Sequence, residues 1–333
     1  MMKFRERFMM GEVPFDDIFS LTDKWNFSDE ACTLREYLGL TAKEEDVWIS
    51  DSDDALEELM EKENTKAVFL DLDGTLFTDE KTFSAGNCQA IEEALAAGHH
   101  IVISTGRPLA SAIMQAKELG FTKKGCFVIS FNGGEIYDMY RKKSIFKKPL
   151  AMPLVRRIFD EALQCGLHCQ TYSDSEIVTE HDTEEVKHYS SIVKIPYKVV
   201  PDVTAFLKSE PVKVLVVNYE NKEHLRDYLE KTADFADGKI NRFFSSNEYL
   251  EHVAPGIDKG SAVRFLCEYT GIPLCNTIAA GDAENDISMI RAAHIGCAMR
   301  NAEEEVKQAA DYITENDNNH DGVAEIIHKF VLK

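Results

Sequence analysis

The sequence lacks any apolar run of membrane-spanning length, and it is poor in basic residues. None of its 333 residues lies in a hydrophobic stretch that approaches the roughly 18 residues a membrane helix needs. Lys and Arg number 37 against 58 Asp and Glu, which gives a formal charge of −21. Nucleic-acid binding needs a basic face, so this charge argues against a nucleic-acid partner. The first residues also lack the apolar core of a signal peptide, and we expect a cytoplasmic protein without membrane contact.

Cysteine pairs and tryptophan are also scarce. The eight cysteines form no C-x-x-C pair, which favours reduced thiols over a disulfide framework. Both tryptophans, Trp25 and Trp48, lie in residues 1–63, a segment with 18 acidic and 7 basic residues. Disordered acidic tails are usually poor in aromatic residues, so we expect a small folded unit. Apolar residues at helical spacing in 29–38 and 53–62 predict helices that pack on the main body or on a partner chain.

The central feature of the chain is residues 66–77, KAVFLDLDGTLF. The apolar run at 68–70 is typical of a strand that is buried on both faces of a parallel sheet. Alternate side chains of an extended chain share a face, so Asp71 and Asp73 point the same way, and Gly74 then permits a turn. Carboxylates at the end of a central strand lie where open α/β sheets bind ligands, and their mutual repulsion predicts a metal ion, with magnesium favoured by oxygen ligands. A polar Asp-Gly turn without function is the alternative interpretation.

Two further loops follow predicted strands. Thr105, Gly106 and Arg107 come after a strand at 100–104 and open onto a helix. Backbone N–H groups and a hydroxyl at such a helix start can hold a phosphate group. Asn132 follows the next strand, and it either contacts substrate or serves as an Asn-Gly turn residue.

The last polar clusters lie near the C-terminal third of the chain. Lys259 falls in the first turn of a predicted helix, where it is either a solvated surface group or the cation that an acidic site needs. The segment GDAENDI places Asp282 at the end of a strand, with Asn285 and Asp286 at the beginning of a helix. Acidic residues in a first turn also complement a helix dipole, which is the functionally neutral interpretation.

Together these segments resemble a known family. DLDGTL, TGR, VAPGIDKGSAVRFL and GDAENDI are similar, in this order, to the four motifs of the haloacid dehalogenase superfamily, in its Cof-type subfamily with a type IIB cap. The resemblance covers residues 64–333. It implies an α/β fold, with a Rossmann-like parallel-sheet core at 64–150 and 253–333 and an inserted α+β cap at 151–252. Residues 1–63 lie outside it and are predicted to be a mostly helical, acidic extension.

The resemblance also implies a magnesium-dependent phosphomonoesterase for a small phosphorylated metabolite, with a sugar phosphate favoured. Asp71 would be the nucleophile that forms an aspartyl-phosphate, Asp73 the general acid and base, and Lys259 the cation that neutralises both nucleophile and phosphate. The residues implied in phosphate or substrate binding are Leu72, Thr105, Gly106, Arg107, Asn132, Lys259 and Asn285. The Mg²⁺ site would comprise Asp71, Asp73 through its backbone carbonyl, and Asp282, with Asp286 supporting the water shell of the ion.

Two alternative functions stay open on the sequence. Some relatives with this cap type return the phosphoryl group to a sugar, which would make the protein a phosphomutase. Residues 1–63 could instead carry a regulatory role through a protein partner or self-association. Within the cap, the candidates for substrate contact are Tyr172, His181, His188, Glu251 and His252.

Overall fold

The computed structural model describes residues 2–9 and 12–332, and its strands form two separate sheets. The strands are β1 (Ala67–Leu70), β2 (His100–Ser104), β3 (Cys126–Ser130), β4 (Glu135–Asp138), β5 (Lys143–Lys147), β6 (His168–Tyr172), β7 (Ile177–Thr179), β8 (Tyr197–Val199), β9 (Lys213–Val217), β10 (Asn241–Ser246), β11 (Tyr249–Val253), β12 (Thr277–Gly281), β13 (Ile295–Ala298) and β14 (Tyr312–Ile313).

Helices cover both faces of the first sheet, pack on both faces of the second and form an N-terminal group. They are α1 (Phe4–Met9), α2 (Asp17–Asn26), α3 (Leu34–Leu38), α4 (Ala42–Ser50), α5 (Asp53–Asn64), α6 (Ala85–Ala96), α7 (Leu109–Glu118), α8 (Met152–Gln164), α9 (Glu184–Val193), α10 (Val203–Phe206), α11 (Lys222–Lys231), α12 (Ala233–Ala236), α13 (Lys259–Thr270), α14 (Ile287–Ala292), α15 (Glu304–Ala309) and α16 (Gly322–Phe330). Among the helices of the described residues, none combines the length and hydropathy of a membrane span.

The first sheet has eight strands in the order β14-β13-β12-β1-β2-β3-β4-β5. The strands from β14 to β3 are parallel, and β4 and β5 add an antiparallel edge. Val68 and Leu70 pack in the hydrophobic cluster under α6 and α16, whereas Ala67 and Phe69 pack in the cluster under α13. This alternation follows from the two-residue period of a strand, and it explains why β1 is apolar throughout.

The second sheet is inserted between β5 and α13, and its order is β10-β11-β9-β6-β7-β8. Its strand pairs are antiparallel except for β7 with β8. Helix α8 buries Val155, Ile158, Phe159 and Ala162, which recur at helical spacing, against this sheet. The predicted parallel-sheet core with an inserted α+β cap is therefore confirmed. The exact division at residues 63, 150 and 252 stays a prediction.

The N-terminal residues form five helices with a hydrophobic cluster of their own. The buried members of this cluster are Phe4, Val13, Phe15, Ile18, Leu38, Leu40, Leu56 and Met60. The predicted helix at 29–38 was too long, because Thr33 ends the preceding loop and caps α3 through a hydrogen bond from the Glu36 N–H to its hydroxyl. Asn276 joins the unit to the core by donating its side-chain N–H to the carbonyls of Glu63 and Thr65, at 2.6 and 3.2 Å.

Candidate active site

Four adjacent strands of the eight-stranded sheet bring the predicted site together. In the order β12, β1, β2 and β3, their carboxyl ends lead into Asp282, Asp71, Thr105 and Asn132. The chain reverses its direction of strand addition at β1, and such a switch point leaves a crevice at the carboxyl edge of an open sheet. Residues that lie up to 211 positions apart in the sequence are therefore neighbours at this edge.

A buried cluster of carboxylates surrounds one lysine. The Lys259 ammonium, at the first position of α13, contacts Asp71 and Asp286 at 2.5 Å each. Carboxylate oxygens of Asp71, Asp282 and Asp286 lie within 4.8 Å of one another. Asp286 also accepts hydrogen bonds from the N–H groups of Asp282 and Ala283, at 3.0 and 3.1 Å. Both carboxylate oxygens of Asp286 therefore accept hydrogen bonds from the protein. This arrangement suits a role in positioning Lys259 and the Asp282 loop.

The electrostatics of this cluster fit a divalent cation. Burial and the charges of Asp286 and Asp282 raise the pKa of Asp71 well above its usual range, although Lys259 opposes this shift. Burial and Asp286 likewise raise the pKa of Asp282 to about 7. Burial by itself would lower the pKa of Lys259, but Asp286 and Asp71 more than reverse that effect. One lysine does not balance two buried carboxylates and a third that is partly buried, and oxygen donors at this spacing are the ligands that Mg²⁺ prefers.

The turn after β1 positions the Asp282 carboxylate of this cluster. Gly74 has a φ of +84°, and a Cβ atom at this position would collide with the Asp282 carboxylate. Thr75 donates its hydroxyl to Asp282 Oδ1 at 2.8 Å. The glycine therefore serves both the left-handed turn and the close approach of Asp282.

Asp73 lies outside the carboxylate cluster, and its side chain is bound by two basic residues. Arg107 donates to it through Nε and Nη2 at 2.7 and 2.8 Å, and Lys81 donates at 2.8 Å. Burial would raise the pKa of Asp73, but the hydrogen bonds and charge of Arg107, together with Lys81, lower it to about 2. The side chain of Asp73 is thus ionised here and turned toward Arg107.

Two of the predicted phosphate-binding residues, Asn132 and Asn285, contact each other next to Gly106. Asn285 donates its Nδ2–H to Asn132 Oδ1 at 3.0 Å, and the Asn132 Nδ2 is buried without a hydrogen-bond partner among the described residues. A Cβ atom at Gly106 would lie 3.0 Å from that same Nδ2. The side chain of Leu72 lies in the hydrophobic core, so only its main-chain atoms are available to a ligand.

A cavity of about 360 Å³ opens above this site, between the two sheets. The core contributes Asp71, Asp73, Lys81, Thr105, Gly106, Arg107, Ala283 and Asn285, and the cap contributes Tyr189, Ile192, Val193, Ser245, Ser246, Tyr249 and Glu251.

Of the five cap candidates from the sequence, Glu251 lines this cavity in the described structure, whereas Tyr172, His181, His188 and His252 are not among its lining residues and stay predictions. His252 follows Glu251 along β11 and is buried against Tyr228.

The sequence analysis missed several residues that line or support the cavity: Lys81, Tyr189, Lys213, Ser245, Ser246 and Tyr249. Lys81 lies eight residues after Asp73, and a basic residue near a low-pKa carboxylate could have been suspected. The cap residues have no local signal, because they reach the site only through the fold of the inserted sheet.

The chain has clear relatives. Residues 68–327 match the family model described as haloacid dehalogenase-like hydrolase. The 5-amino-6-(5-phospho-D-ribitylamino)uracil phosphatase YcsE of Bacillus subtilis is 32% identical over 267 residues, which cover 80% of this chain and 96% of that protein.

Solved structures show the same similarity. A haloacid dehalogenase-like hydrolase from Bacteroides thetaiotaomicron superposes with a TM-score of 0.74 at 35% identity, over 80% of this chain and 99% of its own. A sugar phosphatase of subclass IIB superposes with a TM-score of 0.69 at 26% identity, over 81% of this chain and 100% of its own. The matched parts of the relatives thus extend over nearly their whole length.

Proposed function

This chain belongs to the haloacid dehalogenase-like hydrolase family and is a phosphatase, and on that basis we propose that it hydrolyses the phosphomonoester of a small metabolite through an aspartyl-phosphate. The observation that carries this proposal is the contact of Lys259 with the Asp71 carboxylate beside Asp282, at the floor of a cavity that the cap covers. A carboxylate in that place is a nucleophile held next to cationic charge.

In the first step, an Asp71 oxygen attacks the phosphorus atom, and the bond from phosphorus to the ester oxygen breaks. Thr105, the Gly106 N–H, Lys259 and Asn285 would bind the phosphoryl oxygens as charge moves onto them. In the second step, a water oxygen attacks the same phosphorus and restores the Asp71 carboxylate. Splitting the displacement in two lets one site position both reactions.

Asp73 would protonate the departing alkoxide and then take the proton from the attacking water. In the structure its carboxylate is bound to Arg107 and Lys81 instead. Its catalytic role therefore requires it to exchange these partners for the ester oxygen. Substrate phosphate, as a competing anion, gives Arg107 and Lys81 an alternative partner.

Asp71, Asp282 and the main-chain carbonyl of Asp73 would hold Mg²⁺. The bound ion would lower the repulsion between an anionic nucleophile and an anionic ester. Lys259 would also lower this repulsion, and Asp286 keeps its ammonium in place through a second ion pair.

The cavity favours a compact leaving group that carries hydroxyl groups. Its volume of about 360 Å³ is near the lower end of the roughly 300–1,000 Å³ that is common for small-molecule sites. The cap side of the lining includes Tyr189, Ser245, Ser246, Tyr249 and Glu251. The Ser245 and Ser246 hydroxyls donate to Glu251 and Glu248 here, so a sugar would bind by replacing these partners. A sugar phosphate suits this lining, and one structural relative is a sugar phosphatase.

The test is phosphate release from a panel of sugar phosphates, nucleotides and cofactor phosphates, with and without Mg²⁺. Asp71→Asn should lower kcat by at least roughly a thousandfold, because an amide cannot form the covalent intermediate. Asp174→Asn, the same change at an exposed cap position, is the matched control.

Failure of a well-folded wild-type protein to release phosphate from any compound would reject the proposal. Retention of the phosphoryl group in a sugar bisphosphate would instead identify a phosphomutase.

A further inference from the structure

The phosphate-binding loop, residues 105–107, is fixed by the core at two positions and by the cap at the third. The Thr105 carbonyl accepts from the Asn132 N–H at 3.0 Å, and the Arg107 carbonyl accepts from the Phe131 N–H at 3.1 Å. The carbonyl between them, that of Gly106, accepts from Lys213 Nζ at 2.8 Å. Lys213 is the first residue of β9, so this donor comes from the cap.

Lys213 is held firmly for this contact. Its side chain is 1% exposed and forms an ion pair with Glu251 at 2.9 Å. The ammonium also lies 5.7 Å from the ring centre of Phe131 and 5.3 Å from that of Tyr172, which are favourable cation–π distances. A buried lysine with a carboxylate and two aromatic faces around it has little freedom to point elsewhere.

One peptide unit connects Lys213 to the Thr105 hydroxyl, the group proposed to bind phosphate. The carbonyl of the 106–107 peptide binds Lys213, and the N–H of the same peptide, that of Arg107, donates to the Thr105 hydroxyl oxygen at 3.2 Å. A hydroxyl that accepts from an N–H still has its own proton to donate. Thr105 lines the catalytic cavity, so that proton is available to a phosphoryl oxygen.

We propose that Lys213 is a positioning residue for phosphoryl transfer, which orients the Thr105 hydroxyl through the 106–107 peptide. The inference rests on the proposed role of Thr105 as a phosphate-binding residue. Glycine at 106 has no Cβ to restrict rotation of this peptide, and an external hydrogen bond to its carbonyl is therefore what defines its direction. Because Lys213 belongs to the cap, the loop takes this arrangement only with the cap in contact.

A double-mutant cycle tests this pathway with four proteins: wild type, Thr105→Val, Lys213→Met and the double variant. Lys213→Met should lower kcat/KM about tenfold or more, and the double variant should be within about twofold of Thr105→Val alone, because both changes remove the same interaction. A loss in the double variant equal to the product of the two single losses would overturn the inference, since Lys213 would then act independently of the hydroxyl.

Lys213→Met leaves Glu251 buried without its cation, and that variant could fail to fold. The cycle is therefore repeated on the Glu251→Gln protein: Lys213→Met/Glu251→Gln, in which two neutral side chains of similar size replace the ion pair, is compared with Glu251→Gln, each with and without Thr105→Val. Lys147→Met, a change at a partly exposed core lysine that pairs with Asp174 at 3.7 Å, is the matched control. It should change kcat/KM by less than about twofold.

Calorimetric binding of inorganic phosphate separates this inference from the proposed function. Lys213→Met should weaken phosphate binding in the wild-type background and leave it unchanged in the Thr105→Val background. This readout needs no turnover, so it applies even if no substrate of the panel is hydrolysed. Equal weakening in both backgrounds, or no weakening in either, would reject the role of Lys213.

Discussion

Single residues of this protein owe their ionisation to what surrounds them. Asp71 and Asp73 are two positions apart, yet burial among carboxylates raises the pKa of the first, and Arg107 with Lys81 lowers that of the second to about 2. Both are aspartates of the same short segment, so local sequence does not distinguish their ionisation. Their proposed division into nucleophile and acid–base group rests on neighbours that follow β2 and β12 or lie in α13.

Buried His252 makes the stability of the fold depend on pH. Burial and the charge of Arg242 lower its pKa from 6.5 to about 3. The unfolded chain takes up a proton near pH 6.5, whereas the folded chain stays neutral at this site until about pH 3. Stability from His252 is therefore complete above pH 6.5 and is lost as the pH falls, by about 1.4 kcal/mol per unit.

We expect the free energy of unfolding to fall between pH 7 and pH 5 by about 2 kcal/mol less in His252→Gln than in wild type. Urea unfolding at both pH values measures this difference. His181→Gln, the same change at an exposed histidine without an ion-pair partner among the described residues, is the control. An identical pH dependence in wild type and His252→Gln would show that this ring does not control acid sensitivity.

At the scale of elements, a partly buried ion-pair network around Arg5 joins three of the N-terminal helices. Arg5 of α1 donates to Glu44 of α4 at 2.8 and 3.0 Å and to Glu63 of α5 at 3.0 Å. The Glu44 side chain is fully buried and also accepts from the Thr41 N–H in a capping box. Removing the cation leaves a buried carboxylate without its charge partner, which is costly.

Arg5→Ala should lower the stability of the helical unit by about 2 kcal/mol or more. Both tryptophans of the chain lie in this unit, so thermal unfolding followed by tryptophan emission reports on it selectively. Arg7→Ala is the matched control, because Arg7 pairs with Glu12 at 3.5 Å on the exposed side of the same helix. Equal melting of both variants would mean that the buried pair does not stabilise the unit.

At the scale of the whole molecule, the described residues of the N-terminal unit contribute nothing to the lining of the candidate catalytic cavity. All residues that line the catalytic cavity fall between 71 and 285. The N-terminal unit has its own hydrophobic cluster and holds a net charge of −11 out of −21. A role for this acidic unit in binding a protein partner, or a second copy of the chain, stays a prediction.

Deletion of residues 1–60 should leave kcat and KM within about twofold of wild type and should remove the tryptophan emission. Steady-state kinetics on the substrate of the panel with the highest kcat/KM, together with an emission spectrum, check both parts. A loss of more than about tenfold in kcat, with the circular dichroism of the core intact, would mean that the unit contributes to the catalytic arrangement.

The amino-acid sequence by itself determined the core strands, the order of the four motifs and the placement of Asp71, Thr105, Lys259 and Asp282 at strand or helix ends. These features are local, because apolar runs, glycine turns and helix starts are set by residues within a few positions of one another.

Tertiary structure alone decided the partners of these residues. Lys213 meets the Gly106 carbonyl across 107 positions of sequence, and the five N-terminal helices share a cluster that no single helix reveals. Such contacts depend on how separate elements pack, and no short-range pattern encodes which distant side chains then meet.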